Sequence, residues 1–318
     1  MRLRFNGVAY DRTLPLISSE VQPESIELEY VVDQPNPIFR RMFDTDEFDA
    51  SELSSSNFII GRARGDQRFV ALPVFPSRVF RHNSIYVNLA AGITRPEDLV
   101  GRRVGIPEYL QTANFWARGI LQDEYDVRPE QLHWVRGDTE KLKLPLPKNI
   151  EITQAPPGRT LSDLLETGEI DALVSPRKPA CLEAGSPRVG RLFPNYPEVE
   201  AEYYRRTGHF PIMHLVAIRR HVYERDRSIA RRLFDAFVEA KRRAYEAIRQ
   251  GVFLTTSLPL QIAYVEESRK TFGDDPFPYG LAANRRTVGA VARYVHEQGM
   301  TDRILDPEEL FVPELLDT

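Results

Sequence analysis

Short apolar runs alternate with helical periodicity along the whole chain. Seven runs predict strands: RLRFNGVA (2–9), IELEYVV (26–32), FVALPVF (69–75), RVGIP (103–107), LHWVR (132–136), IEITQA (150–155) and DALVS (171–175). Their brevity and their Val and Ile content suit parallel strands buried on both faces. The clearest helix is predicted from Ser228 to about Gln250, where Ile229, Leu233, Phe237, Ala240 and Ala244 recur at three to four residues. Ser228 caps its start and Gly251 ends it. The basic run KRRAYEAIR within it reads as a solvated face. A second helix follows Asn284, with Val288, Val291, Ala292 and Val295 on one face and a stop at Gly299. The rhythm is that of an α/β protein.

The same pattern suggests where the chain divides. In AGITRPEDLVGRRVGIPEYLQTANFWARGIL a turn and a short helix precede a buried strand, and a new helix starts straight after it. TLSDLLETGEIDALVSPR repeats that order, with Gly168 stopping the helix before the strand. A lobe of residues 89–210 is therefore expected as an insertion between the halves of another, residues 1–88 plus 211–318. A length of 318 residues suits two medium lobes better than one core.

Composition narrows the function classes. Hydrophobic residues at 42% and charged residues at 28% exclude a disordered, collagenous or membrane-spanning chain. The formal charge of −4 gives no general pull toward nucleic acid, so clustered arginines need a local explanation. FPSRVFRHNSIYVN (75–88) gathers Arg78, Arg81 and His82 among aromatic rings, a set suited to a small anion. Cys181 is the only cysteine, which excludes an intramolecular disulfide or a zinc site of several thiolates and leaves it as a small filler. The opening MRLRFNGVAYDRTLPL lacks the apolar run of an export signal, and a cytoplasmic location is expected, away from membranes.

PEDLVGRRVGIPEY followed by LLETGEIDALV resembles the second lobe of the type II periplasmic-binding-protein fold. More specific are YDRT (10–13), SELSSSNF (51–58), VFPSRVFRHNSIYVN (74–88), GRTLSDLL (158–165), SPR (175–177), YYRRTGHFPIMH (203–214) and DPEELF (306–311). Together they resemble the 4,5-dihydroxyphthalate decarboxylase family across nearly the whole chain. The resemblance implies an α/β, two-lobed, type II periplasmic-binding-protein-like fold with two crossovers and an interlobe ligand cleft. It implies a non-oxidative carboxy-lyase of a hydroxylated aromatic (di)carboxylic acid, taking 4,5-dihydroxyphthalate to protocatechuate and carbon dioxide without a cofactor. The partner would be a small aromatic carboxylate, with neither nucleic acid nor membrane, and a homo-oligomer stays open. Two alternatives remain: a solute-binding protein that captures such an acid without chemistry, or another cytoplasmic enzyme of this fold acting on a related cyclic acid.

In open α/β sheets ligands bind beyond the carboxyl ends of strands, which makes polar groups in strand-to-helix turns the binding candidates. These are Tyr10 and Arg12, Ser54 and Ser55, Thr112, Arg159 with Thr160, and Arg177, joined by Arg78 and Arg81 on the first crossover. Arginine forks grip carboxylates through paired hydrogen bonds. For the chemistry, loss of carbon dioxide leaves electrons on a ring carbon, so an acid and a base are needed, and histidine can serve as either. His82 is expected as proton donor or relay, His214 as its partner at the phenol, and Glu108 as orienter, with His209 near the return crossover. A divalent metal held by His82, His214, Glu52 and Glu108 is the rival chemistry, although the chain has no HxxxH, HxH or CxxC spacing.

Overall fold

Eleven strands and the helices between them form in the computed structural model, which describes residues 1–140 and 144–318. The strands are β1 (Arg2–Gly7), β2 (Glu27–Val32), β3 (Ala50–Ser54), β4 (Phe69–Leu72), β5 (Ile85–Asn88), β6 (Arg103–Ile106), β7 (His133–Arg136), β8 (Ile152–Gln154), β9 (Ala172–Val174), β10 (Val189–Arg191) and β11 (His214–Arg219). Every run predicted from apolar patterning contains a strand that is one to three residues shorter in total. β4, for example, stops at Leu72 because Pro73 cannot donate to a ladder.

The first unit comprises residues 1–78, 214–288 and 305–318. Its sheet has the order β2-β1-β3-β11-β4. β1 runs parallel to β2 and β3, while β11 runs antiparallel to β3 and β4. Leu3, Phe5, Val216 and Ile218 of this sheet share one core with Ile229, Leu233 and Phe237 of the helix Ser228–Arg249. Burying each such side chain contributes about 1.5–3 kcal/mol, which is what holds that helix to the sheet. The helix ends as expected, and Gly251 beyond it takes a φ of 65°. One part of the solvated-face reading fails. Arg242 and Arg243 are exposed and paired with Glu239, but Lys241 is buried and donates to Asp275 Oδ2 at 2.5 Å and to the Phe277 carbonyl at 3.0 Å.

The second unit comprises residues 79–213 and 289–304. Its sheet has the order β10-β5-β9-β6-β7-β8. β6 is parallel to β7 and β9, and β7 to β8, whereas β5 is antiparallel to β9 and β10. Tyr86, Leu164, Leu165, Leu173 and Val189 form a core cluster on this sheet. Three segments, 79–88, 211–213 and 289–304, fall in this unit and not in the one expected from the sequence. Residues 79–88 belong here because β5 pairs within this sheet, and residues 289–304 join it although their helix, Arg285–Glu297, starts in the first unit. Gly119 sits against the ring of Tyr294, where a Cβ would come within 2.5 Å, so a glycine is required at that crossing.

The expectation of parallel strands throughout is also corrected. Every antiparallel pair includes β5 or β11, two strands that the patterning missed along with β3 and β10. Among the described residues, no helix is long and apolar enough to cross a membrane.

Candidate active site

β3 carries the sequence ASELS, polar at three of five positions, yet all five residues are buried. Its Glu52 is 1% exposed and is satisfied by three donors. Oε1 accepts from the Tyr10 hydroxyl at 2.7 Å and from His214 Nδ1 at 2.5 Å, and Oε2 accepts from the Val8 backbone N–H at 3.1 Å. A carboxylate can only accept, so Nδ1 of His214 carries the hydrogen and Nε2 is left as the basic nitrogen. His214 opens β11 opposite Ser54 of β3, with its backbone N–H donated to Ser77 and its ring against the edge of Phe39 at 5.0 Å. Register, carboxylate and ring together hold the imidazole in one orientation. Tyr10 arrives from the turn after β1, and burial together with the Glu52 charge pushes its hydroxyl well above the usual tyrosine range, so it stays a donor.

Beside this group, Ser54 caps the helix Ser55–Ala63 by accepting from the Asn57 N–H at 3.4 Å. The positive end of that helix therefore lies next in sequence and register to His214, a setting that favours an anion. Ser54 and Ser55 are both buried there.

The arginines of the first unit are already engaged. Arg12 pairs with Asp11 at 2.7 Å, donates to the Pro76 carbonyl at 2.9 Å and lies 3.8 Å over the Phe277 ring. Arg78 donates to the Pro278 carbonyl at 2.9 Å and to Asn284. Both read as ties between the 76–78 loop or the first turn and the 277–284 segment.

The remaining expected residues lie in the second unit. His82 is 1% exposed, ringed by Phe193 and Tyr203 at 5.2 Å each and by Tyr125 at 6.5 Å. Neither ring nitrogen has a hydrogen-bond partner among the described residues, and burial first, then the Arg206 charge, lowers its pKa to about 4. It is thus neutral at ordinary pH and no carboxylate orients it. Arg81 is buried with Nη2 at 2.6 Å from the Met213 sulfur, and burial lowers its pKa to about 10. Glu108 and Thr112 are buried about the start of the helix Thr112–Tyr125, where the Glu108 carbonyl accepts from Asn114 at 2.6 Å. In the first unit, the carboxylate on Nδ1 of His214 is that of Glu52. Arg159 is a surface partner of Glu169 at 2.7 Å, Thr160 is the cap of a capping box with Asp163, and Arg177 is exposed. His209, expected near the return crossover, packs its ring 6.0 Å from Trp116 in this unit. Cys181 is a buried filler, as expected.

Against known proteins, the chain is 38% identical over 315 residues to a 4,5-dihydroxyphthalate decarboxylase of Comamonas testosteroni, spanning 97% of this chain and 96% of that one. It belongs to the 4,5-dihydroxyphthalate decarboxylase family. A second relative of the same name, from Pseudomonas putida, is 38% identical over 206 residues, 63% of this chain and 80% of the relative. No protein-family profile matches. Among solved structures, the aliphatic sulphonate binding protein SsuA of Escherichia coli superposes with a TM-score of 0.57 at 14% identity, covering 100% of this chain and 99% of SsuA. The fold is therefore that of the two-lobed periplasmic binding proteins.

In this member of the decarboxylase family, no three His, Cys, Asp or Glu side chains converge to hold a metal among the described residues. The residue that sequence reasoning underused is Glu52, weighed only as a metal ligand. Its signal was a lone acidic residue in a short stretch of small residues ahead of a serine cap, a pattern that reads as a strand only once its buried partners are known.

Proposed function

We propose that this chain decarboxylates a hydroxylated aromatic dicarboxylic acid, with 4,5-dihydroxyphthalate as substrate, protocatechuate and carbon dioxide as products, and no net oxidation. The observation that carries this reading is the 38% identity to a relative of that name over almost the whole of both chains. The buried Tyr10–Glu52–His214 group supports its chemistry.

In the proposed reaction, Nε2 of His214 takes the proton of the ring hydroxyl para to the departing carboxylate. Electron density then reaches the ring carbon that bears that carboxylate, which gains one solvent-exchangeable proton. The carbon–carbon bond breaks as the ring regains aromaticity, and carbon dioxide leaves. Glu52 stabilises the imidazolium that forms, and Tyr10 holds Glu52 in place. Such acid–base assistance is typically worth 10²–10⁴-fold in rate. The start of the helix Ser55–Ala63 suits one substrate carboxylate. His82, neutral and without an orienting carboxylate, is left out of the proton path.

The test is to incubate purified protein with 4,5-dihydroxyphthalate in deuterium oxide and to follow carbon dioxide and the ring protons by NMR. One carbon dioxide per substrate and a single deuterium at the vacated ring carbon are expected. Saturable binding with no carbon dioxide would instead favour a solute-binding protein.

A further inference from the structure

The first unit holds a cavity of about 290 Å³ that none of the groups above uses. It lies between the last turns of the helix Ser228–Arg249 and the helix Gln261–Phe272. Of the residues in the second helix, Gln261 is the one that is buried. That side chain anchors the helix by donating to the Ile248 carbonyl at 3.0 Å and accepting from the Thr256 N–H at 2.9 Å and its hydroxyl at 2.8 Å. The helix is thereby tied down at its start by the Gln261 side chain and near its end by the Arg269–Asp274 pair, with Tyr264 and Val265 lining the gap instead of packing into a core.

Two properties of the wall define what would fill it. Three rings face it, Tyr245, Tyr264 and Phe277, and three guanidiniums, of which Arg12 is paired with Asp11 and Arg269 with Asp274, while Arg249 donates to the Asp274 carbonyl, so that the wall keeps one positive charge in excess. Rings favour a flat apolar body and guanidiniums favour a carboxylate or stack on an aromatic face. An apolar cavity of roughly 150 Å³ already accepts benzene, so the volume here is ample for a one-ring acid.

We infer that this cavity is a binding site for a one-ring aromatic monocarboxylate, separate from the group of His214 and Glu52. The site goes beyond the decarboxylase reading and does not depend on it. Its floor reaches that group through one side chain, since the Arg12 guanidinium lies over the Phe277 ring at 3.8 Å and over the Tyr10 ring at 5.3 Å.

The experiment is a fluorine NMR titration of 4-fluorobenzoate into the full chain, with 4-fluorobenzylamine as the charge-reversed control. Saturable binding of the acid but not the amine is expected. Val265→Glu, which adds a negative charge to a half-buried wall position, should weaken it at least about tenfold, and Tyr264→Ala should weaken it several-fold with the unfolding midpoint unchanged. His214→Asn should leave it unchanged. The inference is overturned if the acid does not bind at millimolar concentration, if both wall variants bind like wild type, or if His214→Asn abolishes binding, which would put the acid at the candidate active site. It also fails if Val265→Glu dissociates an oligomer without altering the titration, because the face then serves a second copy of the chain.

Discussion

Glu52 accepts three hydrogen bonds while almost wholly shielded from water, two from the turn after β1 and one from the start of β11. Such a carboxylate is costly to bury unless fully satisfied, so its presence needs all three donors. Glu52→Gln keeps the shape but loses the charge that favours an imidazolium at His214. Turnover is expected to fall about a hundredfold with KM within a few-fold, measured by steady-state carbon dioxide release. A KM rise with unchanged kcat would mean that Glu52 only helps to bind substrate. At this scale Tyr10 is legible in the sequence because it follows the first predicted strand, Ser54 as the cap of a helix, and His214 for its place near the return crossover. Glu108 stands there as a candidate orienter, whereas Glu52 is weighed only as a metal ligand. Choosing between two carboxylates needs the register His214 opposite Ser54, and register is a long-range property.

Among elements, the strands with continuous Val and Ile runs were visible, and those with polar or mixed residues were not. β3 is ASELS, and β5 and β10 contribute four and three residues each, too short for alternation to register. β11 carries a clear apolar run, LVAI, directly after the family motif that ends at His214, and it is not among the predicted strands. The arginines show the same limit, since a guanidinium in a loop can serve a ligand or tie two segments together. Arg78 does the second, bonding the Pro278 carbonyl and Asn284. Arg78→Ala should therefore destabilise the fold by about 1.5–3 kcal/mol, as for loss of charged hydrogen bonds to buried groups. Arg159→Ala, which removes a surface pair with Glu169, should stay within about 0.5 kcal/mol. Urea unfolding of the two variants side by side checks both values, and equal losses would contradict the tie assigned to Arg78.

For the whole molecule, the α/β class could be read from the βα restarts, whereas the unit to which each segment of the chain belongs could not. β5 and residues 289–304 join the second unit through pairing partners far away in sequence. The second unit also sets the pH dependence of stability through two buried groups that act in opposite directions. His82 is lowered from 6.5 to about 4, so the unfolded chain binds the extra proton between those values and stability drops as pH falls through them. Glu200, whose Oε1 accepts from the Asn83 N–H and side chain, is raised by burial from 4.5 to about 7, so the folded chain binds the extra proton and stability drops as pH rises through that range. Each contributes up to about 3 kcal/mol, and over the shared range they largely cancel. Wild type should thus unfold at nearly constant free energy from about pH 4.5 to 6.5. His82→Gln should expose a fall in stability with rising pH, and Glu200→Gln a rise, both read from denaturant midpoints. Parallel slopes in the two variants would contradict these assignments.

The central claim, that His214 held by Glu52 carries the proton chemistry of a decarboxylase, is tested most directly by kcat and KM of His214→Asn with 4,5-dihydroxyphthalate. Substrate binding within a few-fold of wild type, with carbon dioxide release slowed by about 10²–10⁴-fold, is the expected result. Wild-type turnover in that variant, or no carbon dioxide from the wild-type chain despite saturable binding, would contradict it.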